Sequence, residues 1–433
     1  MIFSRRRIAS PAAILATLAA VCLFSVDAAQ IVTFRSPPVV GSRPLTTLDR
    51  VDVAAEFLGV DDAGRLKFHL PPATQPTASN AAEPPAQAAS LEVTVAPDEL
   101  VAWGAPQDPP RGLYVVLVDG SLVAAESLTC DSENVHAKLL SQDRTLPLTK
   151  VRGIVFRAFG SQDERDRLID VVAAARTGDR DRLVMQTGDE TTGTVKSIDY
   201  QAVTLETALG PAVIELTKAS YLVFNPALAA APPEPKLRMV VGLRSGSSIV
   251  SAPLRVGPQG TVRLQPTAFS ADTVWDVPFA DVVFLQTLGG KSVSLPSLQA
   301  VGYRNIPYLT RAWPYRVDRN VTGGALRAGG RRYAAGLGMH STSRITYPLD
   351  GTATRFAASL AIDDSTDGRG SVGFRVFVDG TEKYRSPTIR GGDRPTPIEV
   401  PLDGGKQLSL VVDFADFADE LDHANWLNPR LLP

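Results

Sequence analysis

GFRVFVDGTEKYR, residues 373–385, decides how this chain is read. Phe374, Val376 and Val378 alternate with Arg375 and Phe377, Asp379-Gly380 supplies a tight turn, and Lys383-Tyr384-Arg385 returns. Period-two patterning interrupted by an Asp-Gly pair is the local chemistry of a β-hairpin. Leu408-Ser409-Leu410-Val411-Val412 reads as a further core strand. Strands with turn signals every ten or so residues across 305–433 argue for a β-sandwich. With 34 Gly and 33 Pro in 433 residues, the composition is that of a β protein with two to four domains.

Upstream, three segments share one plan: 111–159, 181–226 and 236–288. Each opens on a strand that runs into a Gly turn, at Asp119-Gly120, Gly188-Asp189 and Ser245-Gly246. Each closes on an apolar strand, with Val155-Phe156, Val223-Phe224 and Val283-Phe284 in matching places. Five short strands of this kind fit a small SH3-like or Sm-like barrel. A degenerate copy is expected over 45–105, interrupted by a disordered Pro/Ala-rich insert at 71–90. Residues 160–180 read as a helical linker, with Leu168, Ile169, Val171 and Val172 near one face. The fold class is thus all-β: tandem small barrels followed by a sandwich. Lacking an aromatic groove or a basic face, the barrels read as spacers or as contacts to partner proteins.

Other segments bound the function by exclusion. Arg5-Arg6-Arg7, an apolar run from Pro11 to Val26 and small residues after it have the order of a signal peptide over 1–29, resembling a twin-arginine leader. The mature protein is then periplasmic or secreted, with no membrane span once the signal is removed; left uncleaved, that run would be an N-terminal anchor. A formal charge of −2 and the absence of any Lys/Arg run in the mature part argue against nucleic acid. Removal of Cys22 would leave Cys130 alone, without a disulfide and read as a small buried residue. No G-x-S-x-G, H-E-x-x-H or C-x-x-C template is present, so the chain reads as non-catalytic.

The C-terminal block also carries Gly336-Leu337-Gly338-Met339-His340, Arg344-Ile345-Thr346-Tyr347, Ile362-Asp363-Asp364, Gly391-Gly392-Asp393 and Asp422-His423-Ala424-Asn425-Trp426. In this order the motifs resemble the NPCBM domains, a class of carbohydrate-binding modules, over about Tyr308 to Leu432. Met339 and Asn425 depart from the usual Thr and Asp. The resemblance implies a jelly-roll sandwich of the galactose-binding-like type, with sugar recognition by loops at one end. Sugar binding needs hydrogen-bonding groups for hydroxyls and a flat apolar face for the C–H side. Asp422, His423, Asn425 and Trp426 could supply both; Gly336 and Gly338 would let a loop approach and aim His340 at the same place. Arg344 completes the candidate set. The same residues could instead be internal staples of the sandwich. Asp363, Asp364 and Asp367 could hold calcium, the one cofactor considered. The leading expectation is an exported carbohydrate-binding protein; the alternatives are a structural protein without sugar affinity and an accessory subunit of a glycoside-degrading enzyme.

Overall fold

The computed structural model describes residues 41–71, 91–156, 161–308, 310–416 and 418–433. The expected signal peptide and nearly all of the Pro/Ala insert lie outside these residues. The chain is all-β, and among the described residues Gln162–Ala174 is the one α-helix.

Upstream of the sandwich the strands form four repeats. In the second, Leu113–Leu117, Leu122–Cys130, Asn134–Leu139 and Gln142–Pro147 pair as successive antiparallel neighbours, and Val151–Val155 folds back beside the first. The spatial order is therefore fifth, first, second, third, fourth. The repeat at 43–104 and that at 181–223 have the same order. The repeat at 238–288 departs in its middle, where Arg255–Val256 takes the place beside Thr261–Leu264. The turn glycines Gly120, Gly188 and Gly246 sit at φ of 91°, 89° and 81°, a left-handed conformation that a Cβ would strain.

The repeats do not stand apart as beads. Leu100–Gly104 of the first pairs with Val282–Leu288 of the fourth, and Val151–Val155 of the second pairs with Ala219–Val223 of the third. Second and fourth meet through their first hairpins. There the Ser121 hydroxyl accepts the Val250 amide at 2.9 Å and the Ser247 hydroxyl accepts the Ala124 amide at 3.0 Å, a reciprocal exchange. The order in space is thus first, fourth, second, third. Each join satisfies strand-edge groups that would otherwise be open to aggregation.

In the sandwich, one sheet runs Arg316–Val317, Gly336–His340, His423–Leu432, Arg355–Ile362, Thr396–Pro401. The other runs Gly302–Asn305, Ser343–Pro348, Gln407–Phe414, Ser371–Val378, Thr381–Arg385. The expected 373–385 hairpin is present, Val378 opposite Thr381. Leu337, Met339, Phe356, Phe374, Val376, Leu410 and Trp426 fill the space between the sheets.

The Gln162–Ala174 helix, expected as a linker, is a docking element. Ser161 caps it in a capping box with Glu164. Val172 packs against Tyr114, Val116, Val155 and Val223 of the repeats. The opposite side presents Asp166 and Asp170, one turn apart, to arginines of the sandwich. Arg319 grips Asp170 with both fork nitrogens. Asp166, 2% exposed, takes Arg327 at 2.8 Å and Arg332 at 3.7 Å. Breaking a buried pair by removing one partner costs about 3–5 kcal/mol, because it strands the other charge. Asp166→Ala is therefore expected to destabilise the full chain by about 3 kcal/mol in urea unfolding and to expose the sandwich junction to protease. A variant with unchanged unfolding would show that these ion pairs do not hold the sandwich to the repeats.

Candidate functional site

Strand register decides where the candidate residues point. Gly336–His340 lies antiparallel to His423–Leu432, with Leu337 opposite Trp426, Met339 opposite Ala424 and His340 opposite His423. Because side chains alternate faces, Leu337, Met339, Ala424 and Trp426 point inward. Gly338, His340, His423 and Asn425 point outward, beneath loops that cover the sheet. Gly338 is required there: a Cβ would lie 2.3 Å from the Arg319 carbonyl oxygen, so the covering loop could not settle.

Trp426 is fully buried and cannot serve as a platform for a sugar. Its ring meets Phe374 edge-on at 5.0 Å and Phe356 at 6.2 Å. Asn425 donates to Asp363 at 2.7 Å. Asp422, also fully buried, accepts the Ser341 hydroxyl at 2.6 Å and the Ser371 amide at 3.0 Å, tying three loops together. Arg344 lies on the outer face of the opposite sheet, bonded to Ser409 at 2.9 Å and over Phe377. The expected set therefore separates. Trp426, Asn425 and Asp422 are staples, and Arg344 is remote.

The acidic turn separates in the same way. Asp363 accepts Asn320, Ser365, Arg327 and Asn425. Asp364 accepts the amides of Gly329 and Gly330 at 3.0 and 2.9 Å. Asp367 closes the short helix Asp364–Thr366 in a left-handed conformation and is exposed. Asp363 and Asp364, through the amides of Arg327, Gly329 and Gly330, pin the hairpin of Leu326–Ala328 and Arg331–Tyr333 to the sheet. Among the described residues there is no group of three or more His, Cys, Asp or Glu that could hold a metal ion.

What remains is the histidine pair, and the structure adds an aromatic to it. Trp313, in the segment before Arg316–Val317, stacks on His340 at 4.6 Å with the planes 1° apart. His423 is tilted against both, 6.0 Å from Trp313 and 5.9 Å from His340. Asn305 holds the segment by accepting the Trp313 amide at 2.9 Å, and Tyr303 donates to the Trp313 carbonyl at 2.6 Å. The Arg311 guanidinium lies 4.0 Å from the centre of the indole ring, in cation–π range. Trp313 is half-buried, whereas Trp103, Trp275 and Trp426 are buried. Tyr308 and Ile306, just before it in sequence, are exposed. Neither Trp313 nor Arg311 stands in any of the sequence motifs above. The available signal is Arg311-Ala312-Trp313-Pro314, an aromatic beside Pro ahead of the sandwich's first long strands.

Burial holds both histidines below the ordinary imidazole value. For His340 the hydrogen bond with the Ser341 carbonyl and the charge of Asp419 oppose burial, and Arg311 adds a smaller lowering; His423 is lowered further by His340, Asp363 opposes, and Arg311 adds the least. Burial also pushes Asp422 up to about 6, against the hydrogen bonds from Ser341 and Ser371. As pH falls below the usual histidine value of about 6.5, the unfolded chain binds protons that the buried pair refuses, so the histidines remove stability toward acid. Asp422 works the other way, favouring the folded state below its raised value and costing stability above it. His423→Asn is therefore expected to lose less stability than the parent between about pH 7 and pH 5 in thermal melts. An equal loss would show that His423 is not held neutral. Trp426→Ala is expected to cost about 3–5 kcal/mol in denaturant unfolding of the sandwich; a cost below about 1 kcal/mol would contradict its place in the core.

The sandwich belongs to a recognisable class of module. Residues 304–432 match the family model described as the NPCBM/NEW2 domain, so this part of the chain is an NPCBM domain, in agreement with the motif reading. A curated relative, alpha-1,3-galactosidase B of Akkermansia muciniphila, is 34% identical over 117 residues, 26% of this chain and 15% of the relative. The chain thus spans a small part of that relative's length. Among solved structures, the CBM51 module from Clostridium perfringens GH95 in complex with methyl-galactose is 23% identical, covering 32% of this chain and 99% of that one, with a TM-score of 0.30. The CBM51-2 and INT domains of Clostridium perfringens ZmpB in complex with GlcNAc are 24% identical, covering 40% of this chain and 36% of that one, also at 0.30.

Proposed function

We propose that the chain is an exported, non-catalytic protein that binds carbohydrate at the sheet end where Trp313 meets His340 and His423. The observation that carries this reading is the Trp313–His340 stack beside Arg311, within an NPCBM domain. A sugar offers an apolar C–H face and a rim of hydroxyls. Exposed Tyr308 and the uncovered edge of the half-buried indole supply aromatic surface for the first, and the Arg311 guanidinium that lies over the indole supplies donors for the second. Asp419, close enough to act on the charge of both His340 and Asp422, supplies a carboxylate acceptor.

The repeats serve this reading as a scaffold that holds the sandwich in a fixed orientation, and their outer surfaces are the place for protein partners. Among the described residues no helix is long and apolar enough to cross a membrane, and the reading of the N-terminal segment as an export signal supplies the location. The Akkermansia relative acts, by its name, on galactosides, which makes galactose-bearing glycans the first probes.

The test is a glycan array followed by titration of the full chain with the best binder, with and without a calcium chelator. Trp313→Ala is expected to weaken binding about tenfold, the scale of the ~1–3 kcal/mol that a base gains by stacking on an aromatic side chain. Its thermal midpoint should stay near that of the parent. Chelation should leave affinity unchanged. Absence of binding to every glycan, or binding indifferent to Trp313→Ala, would overturn the reading.

A further inference from the structure

A second candidate lies at the seam between the first repeat and the sandwich. A cleft of about 430 Å³ opens there, lined by Arg43, Asp108, Arg327, Arg331, Arg332 and Asp364 among others. Four guanidinium groups face two carboxylates, and those carboxylates are already engaged. Both oxygens of Asp364 accept backbone amides from Gly329 and Gly330. Asp108 is shared between Arg327 at 2.7 Å and Arg332 at 3.5 Å. Arg331 draws on Asp52 at 3.2 Å and on the Tyr333 hydroxyl at 2.7 Å, neither of which lines the cleft.

Arg43 is the residue without an answer. Among the described residues no carboxylate reaches it; its guanidinium lies 5.8 Å from the ring centre of Trp103. Burial and the nearby Arg244 both act to disfavour its charge. An ion-pair seam built only to hold two bodies together would balance its charges, as Arg319 and Asp170 do on the helix. Here Arg327 and Arg332 also share the buried Asp166, at 2.8 and 3.7 Å, and among the four arginines of the cleft only Arg43 is left without a carboxylate in reach.

We propose that this cleft binds an oxyanion, a carboxylate or sulfate group carried on an acidic saccharide, with Arg43 as its principal ligand and Arg331 beside it. The planar fork of arginine matches both oxyanions bidentately. The volume falls in the range of small-molecule sites and exceeds what a bare ion fills. The choice of a saccharide as carrier rests on the carbohydrate-binding reading of the sandwich; the choice of an anion rests on the seam alone. The cleft would let one chain grip an acidic polysaccharide at two places, one by aromatic contact and one by charge.

The experiment is calorimetric titration of the full chain, in the Trp313→Ala background, with digalacturonate, with its neutral counterpart digalactose and with inorganic sulfate. Digalacturonate is expected to bind, more weakly as salt rises, and digalactose not to. Arg43→Gln is expected to weaken digalacturonate about tenfold or more, the scale of one lost charge-assisted pair. Arg43→Lys, which keeps the charge and loses the fork, should fall between parent and Arg43→Gln, and it replaces Arg43→Gln if the latter melts early. No binding of digalacturonate, or equal affinity in parent, Arg43→Gln and Arg43→Lys, would overturn the proposal. Inorganic sulfate binding as tightly as digalacturonate would overturn the saccharide as carrier. Because Trp313 is absent throughout, failure here leaves the aromatic site untouched, and failure of that site leaves the Arg43 dependence readable.

Discussion

The antiparallel pairing of Gly336–His340 with His423–Leu432 is the constraint on which the site depends. A strand presents its side chains alternately to two faces. Once Trp426 and Ala424 are committed to the core, His423 and Asn425 must face outward. Everything on the outer face follows from that parity. Asn425 is met by Asp363, Gly338 by the loop at Asn320, and the histidine pair by Trp313. Loss of register by one residue would bury the histidines in an apolar core and push Trp426 into water. The core and the histidine face are therefore two sides of one pair of strands.

The same parity marks how far the amino-acid sequence alone is legible. The period-two text at 373–385 and at 408–412 identifies the sandwich correctly, and the NPCBM motifs identify its class. The adjacent residues Asp422, His423, Asn425 and Trp426 cannot all serve one site, however, because alternation sends Trp426 away from His423. Grouping them by proximity along the chain overlooks a consequence that period two already contains. Arg344 fails for a related reason, since Ile345 and Tyr347 take the core face of its strand and leave it on the far side of the sandwich. Trp313 is illegible for a different reason. It lies in irregular chain, and its place arises from stacking on His340, 27 positions away, and from an inclined contact with His423, 110 positions away.

The seam between repeats and sandwich is hidden by the same physical cause. Its charges are spread from Arg43 to Asp364, and the Arg331-Arg332 pair is too short a run of like charge to mark them. The helix that carries Asp166 and Asp170 has the amphipathic spacing expected of a linker. Only the fold reveals that its polar side meets arginines rather than water. As a result the sandwich is held by buried ion pairs to an array of repeats. The sandwich therefore has a set direction relative to the repeats, which a flexible tether would not provide.

The central claim is that recognition occurs at Trp313 and that Trp426 is structural. The four tryptophans of the chain give four indole N–H resonances, and three of these rings are buried. Titrating the full chain, labelled at the indole nitrogen, with a glycan that binds it tests the claim most directly. The Trp313 resonance is expected to move saturably while those of Trp103, Trp275 and Trp426 stay in place. A bound glycan that leaves Trp313 unmoved, or shifts the Trp426 resonance alone, would contradict the claim.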